Sequence, residues 1–191
     1  TLTDTVEYIL EQFKLYCDNI IHEPFNGRYI PYKYNYEEKF PGYDSLVMRK
    51  FNNWYFPRMV KDAPFRKGSA ELFKELQDLH YEVVIVTRRD DHYSGIFSGE
   101  LMKAYTLDNF KKNNLNPDKF YFASFNKRDT MNKNNIDILV EDSIPNIQQV
   151  SINYPVIIMD NPWNISYKEN EKSTFRIKDF NIENFINIIR K

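Results

Sequence analysis

The chain has 191 residues, enough for one α/β domain with a modest insert. At 42% hydrophobic and 28% charged it has the balance of a globular protein, and its formal net charge of −1 supplies no global field to draw in nucleic acid or an anionic membrane surface. The longest apolar runs, 83–86 and 155–159, have strand length and are far too short for a bilayer span; the single cysteine, Cys17, excludes an intramolecular disulfide and suits a reducing, cytoplasmic compartment.

Residues 3–21 read as a helix that Thr3 or Asp4 can cap, with Val6, Ile9, Leu10, Phe13 and Cys17 recurring at helical spacing. Cys17 is therefore expected to be a core or half-buried residue of that helix and not a nucleophile. From 22 to 64 the pattern changes. Prolines, Gly27 and Gly42 interrupt it, and aromatic residues crowd in from Phe25 and Tyr29 to Trp54, Tyr55 and Phe56. This segment reads as an inserted helical cap, with 44–60 as its clearest helix. Most of its rings are expected to form the cap's own small core, leaving one or two to line a site.

From Lys67 onward, helices alternate with strands. Helices are predicted over 69–79, with Ser69 as a candidate N-cap, and over 99–114, 127–134, 144–152 and 181–189. Strands are predicted over 81–87, 119–124, 136–140, 155–159 and, as a last edge strand, 175–177, while 161–172 is polar and reads as a loop. The unbroken run Val83-Val84-Ile85-Val86 suits a strand covered on both faces. The alternation predicts an α/β fold, a doubly wound (Rossmann-like) parallel sheet with a small helical cap inserted after the first strand–helix unit. Residues 1–21 and 65–191 would form the core and 22–64 the cap.

In open parallel sheets, sites form at the carboxyl ends of strands. Thr87-Arg88-Arg89 follows one apolar run, Glu141-Asp142-Ser143 follows another, and Lys127 opens the short helix before the second. A hydroxyl, a cation and an acidic pair at one sheet edge suit phosphoryl transfer: the hydroxyl donates to a phosphate oxygen, the lysine balances developing charge, and the acids hold a hard cation such as Mg²⁺. Each residue alone has an ordinary reading, as a strand end, a surface lysine or a helix N-cap. Their order and strand context together favour a site. His22, His80 and His92 are scattered, and no His/Cys set has zinc spacing. No G-x-x-x-x-G-K-[ST] and no G-x-G-x-x-G after a strand occurs, which disfavours a P-loop kinase and a dinucleotide-binding dehydrogenase.

The order strand–Thr87, Lys127, strand–Glu141-Asp142 resembles motifs II, III and IV of the haloacid dehalogenase superfamily. The segment NKRDTMNKNNIDILVEDS, residues 126–143, is similar to that family's lysine-to-acidic-pair stretch. DAPFRKGSAELFKELQDLHYEVVIVTRR, residues 62–89, resembles the approach to motif II. PVIIMDNPWN, residues 155–164, is similar to bacterial putative nucleotidases of the 5′(3′)-deoxyribonucleotidase branch, in which a small helical cap lies between motifs I and II.

The resemblance implies a Mg²⁺-dependent phosphomonoesterase that works through an aspartyl-phosphate, with a nucleoside monophosphate as its small phosphorylated substrate and neither a membrane nor a nucleic-acid polymer as partner. Thr87 would bind the phosphoryl group and Lys127 the nucleophile and phosphate oxygens. Asp142 would coordinate Mg²⁺ directly and Glu141 through a bound water. The nucleophile and the acid/base aspartate of the family belong to an Asp-x-Asp-Gly-Thr-Leu motif whose end Thr1-Leu2 resembles, so both aspartates are expected upstream of Thr1. Arg88 and Arg89 have two readings, one as phosphate or leaving-group ligands and one as salt-bridge partners of Asp90, Asp91 or the cap. Two other functions stay open: a phosphatase of another small metabolite, and a non-catalytic phosphate- or partner-binding relative that lacks the nucleophile.

Overall fold

The computed structural model describes residues 2–3, 5–33, 35–89, 98–122, 126–168 and 172–190. Its first helix, α1 (Val6–Tyr16), buries Ile9, Phe13 and Tyr16 along one stripe and continues into a π-helical turn, Cys17–Ile21, closed by His22 at φ 63°. The N-cap is Thr5, two residues beyond the expected Thr3, which instead bridges to Phe65 as an isolated antiparallel pair. The expected alternative cap, Asp4, lies outside the described residues. Of the two expected placements for Cys17, core or half-buried, it takes the first: it is fully buried, and burial pushes its thiol up.

The insert contributes a short helix, α2 (Tyr36–Lys39), and a long one, α3 (Ser45–Asp62). Asp44 caps α3 by accepting from the Val47 N–H at 2.8 Å. Met48, Phe51 and Tyr55 of α3 pack against Ile9, Phe13, Tyr16 and Cys17 around the buried Phe40. The Phe13 ring lies 4.0 Å from Phe40, stacked, and 4.8 Å from Phe51, edge-on. Most of the insert's rings are thus spent on its own core, and by packing α1 belongs with the insert.

The alternating half follows as α4 (Ser69–Asp78), β1 (Val84–Thr87), α5 (Gly99–Lys112), β2 (Lys119–Phe122), α6 (Lys127–Asn134), β3 (Leu139–Glu141), α7 (Ile144–Val150), β4 (Val156–Met159), β5 (Thr174–Ile177) and α8 (Ile182–Ile189). The N-cap of α4 is Gly68, not Ser69. At φ +86° a side chain would be strained there, and a Cβ would sit 3.3 Å from the Phe180 carbonyl, while the Ser69 hydroxyl turns back to donate to Arg66 O at 2.7 Å.

β1 to β5 pair in parallel, but they form two sheets, β1–β2 and β3–β4–β5, where one doubly wound sheet was expected. The break lies between β1 and β3. Each is paired on one side only, and among the described residues no strand lies between them. Val84 to Thr87 and Ile138 to Asp142 instead line one cavity of about 890 Å³.

β4 shows why its run is apolar throughout. Ile157 and Met159 join the cluster made with α4 and α8, through Leu72, Phe73 and Phe185, while Val156 and Ile158 join Met131, Ile147 and Val150 of α6 and α7. Alternate residues face opposite helical layers, so neither face of β4 meets water. No helix among the described residues is long and apolar enough to cross a membrane.

Candidate functional site

Thr87 ends β1, Glu141 ends β3, and Lys127 opens α6, whose N-cap Asn126 accepts from the Asp129 N–H at 3.1 Å. These local structures bring the three together because parallel strands present all their carboxyl ends on one edge. Thr87, Arg88, Arg89, Lys127, Glu141 and Asp142 all line the cavity between β1 and β3. Asp90 and Asp91, the alternative salt-bridge partners for the arginines, lie outside the described residues.

The centre of the site is an ion pair. Lys127 Nζ donates to Glu141 Oε2 at 2.5 Å, with the two side chains 15% and 3% exposed. The Asn146 amide also donates to Oε2, at 3.1 Å, and the other oxygen, Oε1, accepts the backbone N–H groups of Asp142 and Ser143 at 2.9 and 3.1 Å. Burial works against ionisation of Glu141, but the charge and hydrogen bond of the Lys127 ammonium, with the hydrogen bond from Asp142, outweigh it and hold the carboxyl well below its usual range. Glu141 is thereby a fixed anion that anchors Lys127 at the cavity wall and shapes the turn into α7.

Asp142 is held from a different side. Its Oδ2 accepts from Asn161 Nδ2 at 3.0 Å, and its backbone carbonyl accepts from Trp163 Nε1 at 3.3 Å and Asn164 Nδ2 at 3.0 Å. Asn161 is in turn fixed by Arg66, which donates to its Oδ1 at 2.6 Å, and Asn164 by Arg176, which pairs with Asp160 at 2.5 Å. The turn 161–164 after β4 therefore clamps the loop after β3. Asn161, Trp163, Asn164 and Arg66 were not singled out as site residues in the sequence. The available signal was a polar cluster directly after the carboxyl end of an apolar strand.

Mg²⁺ binds about six oxygens in near-octahedral geometry and keeps several as water. The two adjacent carboxylates have the right hard-oxygen chemistry but supply only part of such a set, and among the described residues no group of three or more His, Cys, Asp or Glu residues could hold a metal ion. Asp142 suits a direct ligand. Glu141, with both oxygens engaged by protein donors, suits an outer one.

From the insert, Phe56 and Met59 reach the cavity, whereas the Trp54 indole lies under the Arg58 guanidinium at 3.9 Å. His22 and His80 are exposed, and His92 lies outside the described residues. No protein-family model matches the chain, and no curated protein sequence matches it.

Proposed function

We propose that the chain acts as a Mg²⁺-dependent phosphomonoesterase of the haloacid dehalogenase type, with nucleoside monophosphates as substrates. The observation that carries this reading is that Thr87, Arg88, Lys127, Glu141 and Asp142, from three separate stretches of structure, line one cavity at the carboxyl edge of parallel strands. Within it Lys127 is a cation held in place by a buried carboxylate, and Thr87 is a hydroxyl at a strand end. Both suit the oxygens of a phosphoryl group. The aromatic insert beside the cavity and the resemblance of residues 155–164 to nucleotidases favour a substrate with a base.

In this mechanism a carboxylate attacks phosphorus, the bond to the leaving alkoxide breaks, and a second carboxyl group gives the alkoxide its proton. The same group then takes a proton from the water that hydrolyses the aspartyl-phosphate. Both carboxylates belong on a strand seated between β1 and β3, whose carboxyl end would meet Lys127. Lys127 balances the charge on the transferring oxygens, Thr87 donates to one of them, and Arg88 extends toward the phosphate. A Mg²⁺ ion held by Asp142, with Glu141 behind it, would neutralise repulsion between carboxylates and phosphate.

The test is kcat/KM at fixed Mg²⁺ for several mononucleotides, ribose 5-phosphate, glucose 6-phosphate and an aryl phosphate, on a chain carrying the carboxylate strand. Mononucleotides are expected to be preferred, and Asp142→Asn and Lys127→Ala each to lower turnover, Lys127→Ala by on the order of 10²–10³. Equal efficiency on ribose 5-phosphate removes the nucleotidase assignment, and near-normal turnover in Asp142→Asn at limiting Mg²⁺ removes the cation assignment.

A further inference from the structure

Lys39 ends α2 in the insert, far from the strands in sequence, yet its side chain meets Trp163 in the turn that clamps Asp142. Lysine ordinarily buries its stem and keeps the ammonium in water. Lys39 is only 6% exposed, its Nζ donates to the Pro31 carbonyl at 3.1 Å, and it lies 5.0 Å from the centre of the Trp163 ring. That distance is within cation–π range. The edge of the same indole donates to the Asp142 carbonyl. Insert, indole and acidic loop thus form one chain of contacts: ammonium on ring face, ring N–H on backbone carbonyl, and the Asp142 carboxylate on the residue so held.

We propose that Lys39 is a positioning residue for Asp142, acting through Trp163, and that it couples the seating of the helical insert to the cation site. This rests on the reading of Asp142 as a Mg²⁺ ligand. The insert contributes no carboxylate to the acidic pair, and the Lys39–Trp163 contact is a route by which its seating can reach Asp142. Residue chemistry supports it. Asn161 and Asn164 clamp Asp142 from the strand side alone, and Trp163 is the member of the turn that also meets the insert. An ammonium withheld from water is costly unless compensated, and here the compensation is a carbonyl and an aromatic face at the junction between insert and site.

The experiment uses the full chain in a Trp54→Phe background, which leaves Trp163 as the sole tryptophan, since the chain has two. Lys39→Met keeps the stem and removes the charge, and Lys39→Arg restores a cation able to stack on an indole. Hydrogen exchange of the Trp163 indole N–H is read by NMR, and Mg²⁺ alone is titrated while following Trp163 emission. Circular dichroism establishes that each variant is folded. Lys39→Met is expected to speed indole exchange and raise the Mg²⁺ midpoint by ~10-fold, the scale seen when outer-shell partners of metal ligands are removed. Lys39→Arg is expected to return both toward the parent. Unchanged indole exchange in Lys39→Met overturns the coupling, and faster exchange with an unmoved midpoint overturns the positioning of Asp142. If the parent itself shows no response to Mg²⁺, the cation reading of Asp142 falls, and the indole exchange alone decides whether Lys39 holds Trp163.

Discussion

At the scale of single residues, the Lys127–Glu141 pair has two functions that have to be separated. Lys127 is the cation offered to a phosphoryl group, and it is also what allows Glu141 to stay charged at 3% side-chain exposure. Removing one partner of a buried pair leaves the other uncompensated, at about 3–5 kcal/mol. Lys127→Ala is therefore expected to lose stability as well as turnover, and Glu141→Gln to lose comparable stability near pH 7. The pH dependence follows from the direction of the Glu141 shift. Its folded carboxyl is held below the ordinary value, so the folded state binds its proton less readily than the unfolded chain. The stability it contributes is complete above the unfolded value of about 4.3 and is lost as pH falls below that. Urea unfolding of parent and Glu141→Gln should show a wide gap at pH 7 that narrows toward pH 3. A gap of equal size at both values would mean that packing, and not the charge, is what Glu141 contributes.

At the scale of elements, local rules were readable and side-chain reach was not. The helix Lys127–Asn134 has the bounds that its sequence predicts, because Asn126 supplies a cap and Asn135 adopts the left-handed conformation that ends it. Strand bounds moved by a few residues, as with Val84–Thr87 against 81–87: Val83 bonds Asp118 through both its backbone groups, but its N–H goes to the Asp118 side chain, and the parallel register with β2 starts only at Val84. Neither the clamp on Asp142 nor the anchor at Asn109 carries a periodic signal, since each joins residues 19 to 95 positions apart. Asn109, buried in α5, donates its amide to the carbonyls of Val60 and Ala63 at 3.2 and 3.3 Å, where α3 runs out of its own donors. This bond fastens the insert's long helix to the sheet half, alongside the packing of Phe56 and Val60 on Met102. Asn109→Leu keeps the volume and strips the donor. It is expected to cost about 1–3 kcal/mol, the price of unsatisfied buried carbonyls. Measured by chemical unfolding, a loss below ~0.5 kcal/mol would show that the α3–α5 contact holds without this cap.

At the scale of the whole molecule, the break between the two sheets is the feature that the sequence pattern did not convey, because alternation of helix and strand predicts layers and not which strands are neighbours. The cavity in that break has the properties of a strand seat. Its walls are β1 and β3, each paired on one side only among the described residues, and apolar side chains of the α4–α8 layer, Leu72, Phe73 and Phe185, line it. Glu82, Asn135 and Asp137 line the end where β1 and β3 begin, and Thr87, Lys127, Glu141 and Asp142 line its carboxyl end. Leu2 stands at that end too: its carbonyl accepts from the Arg66 N–H at 2.8 Å, and the Arg66 side chain reaches Asn161 just beyond β4. A strand running parallel to β1 and β3 would therefore finish beside Leu2. A segment of about five apolar residues ending in Asp-x-Asp, joined ahead of Leu2, is expected to take the seat, bond both strand edges and merge five strands into a sheet of six. Three or four newly buried side chains at ~1.5–3 kcal/mol each, set against ~1–2 kcal/mol of ordering per residue, leave a net gain of up to a few kcal/mol once the ladder bonds are added. For a chain of this length that corresponds to a rise of ~5–10 °C in Tm. Hydrogen exchange should slow at the amides of Val84 to Thr87 and Leu139 to Glu141, and a polar segment of equal length should change neither quantity. If the apolar segment leaves both Tm and exchange where they were, the cavity is not a strand seat, and the proposed phosphatase chemistry loses the place from which its nucleophile would act.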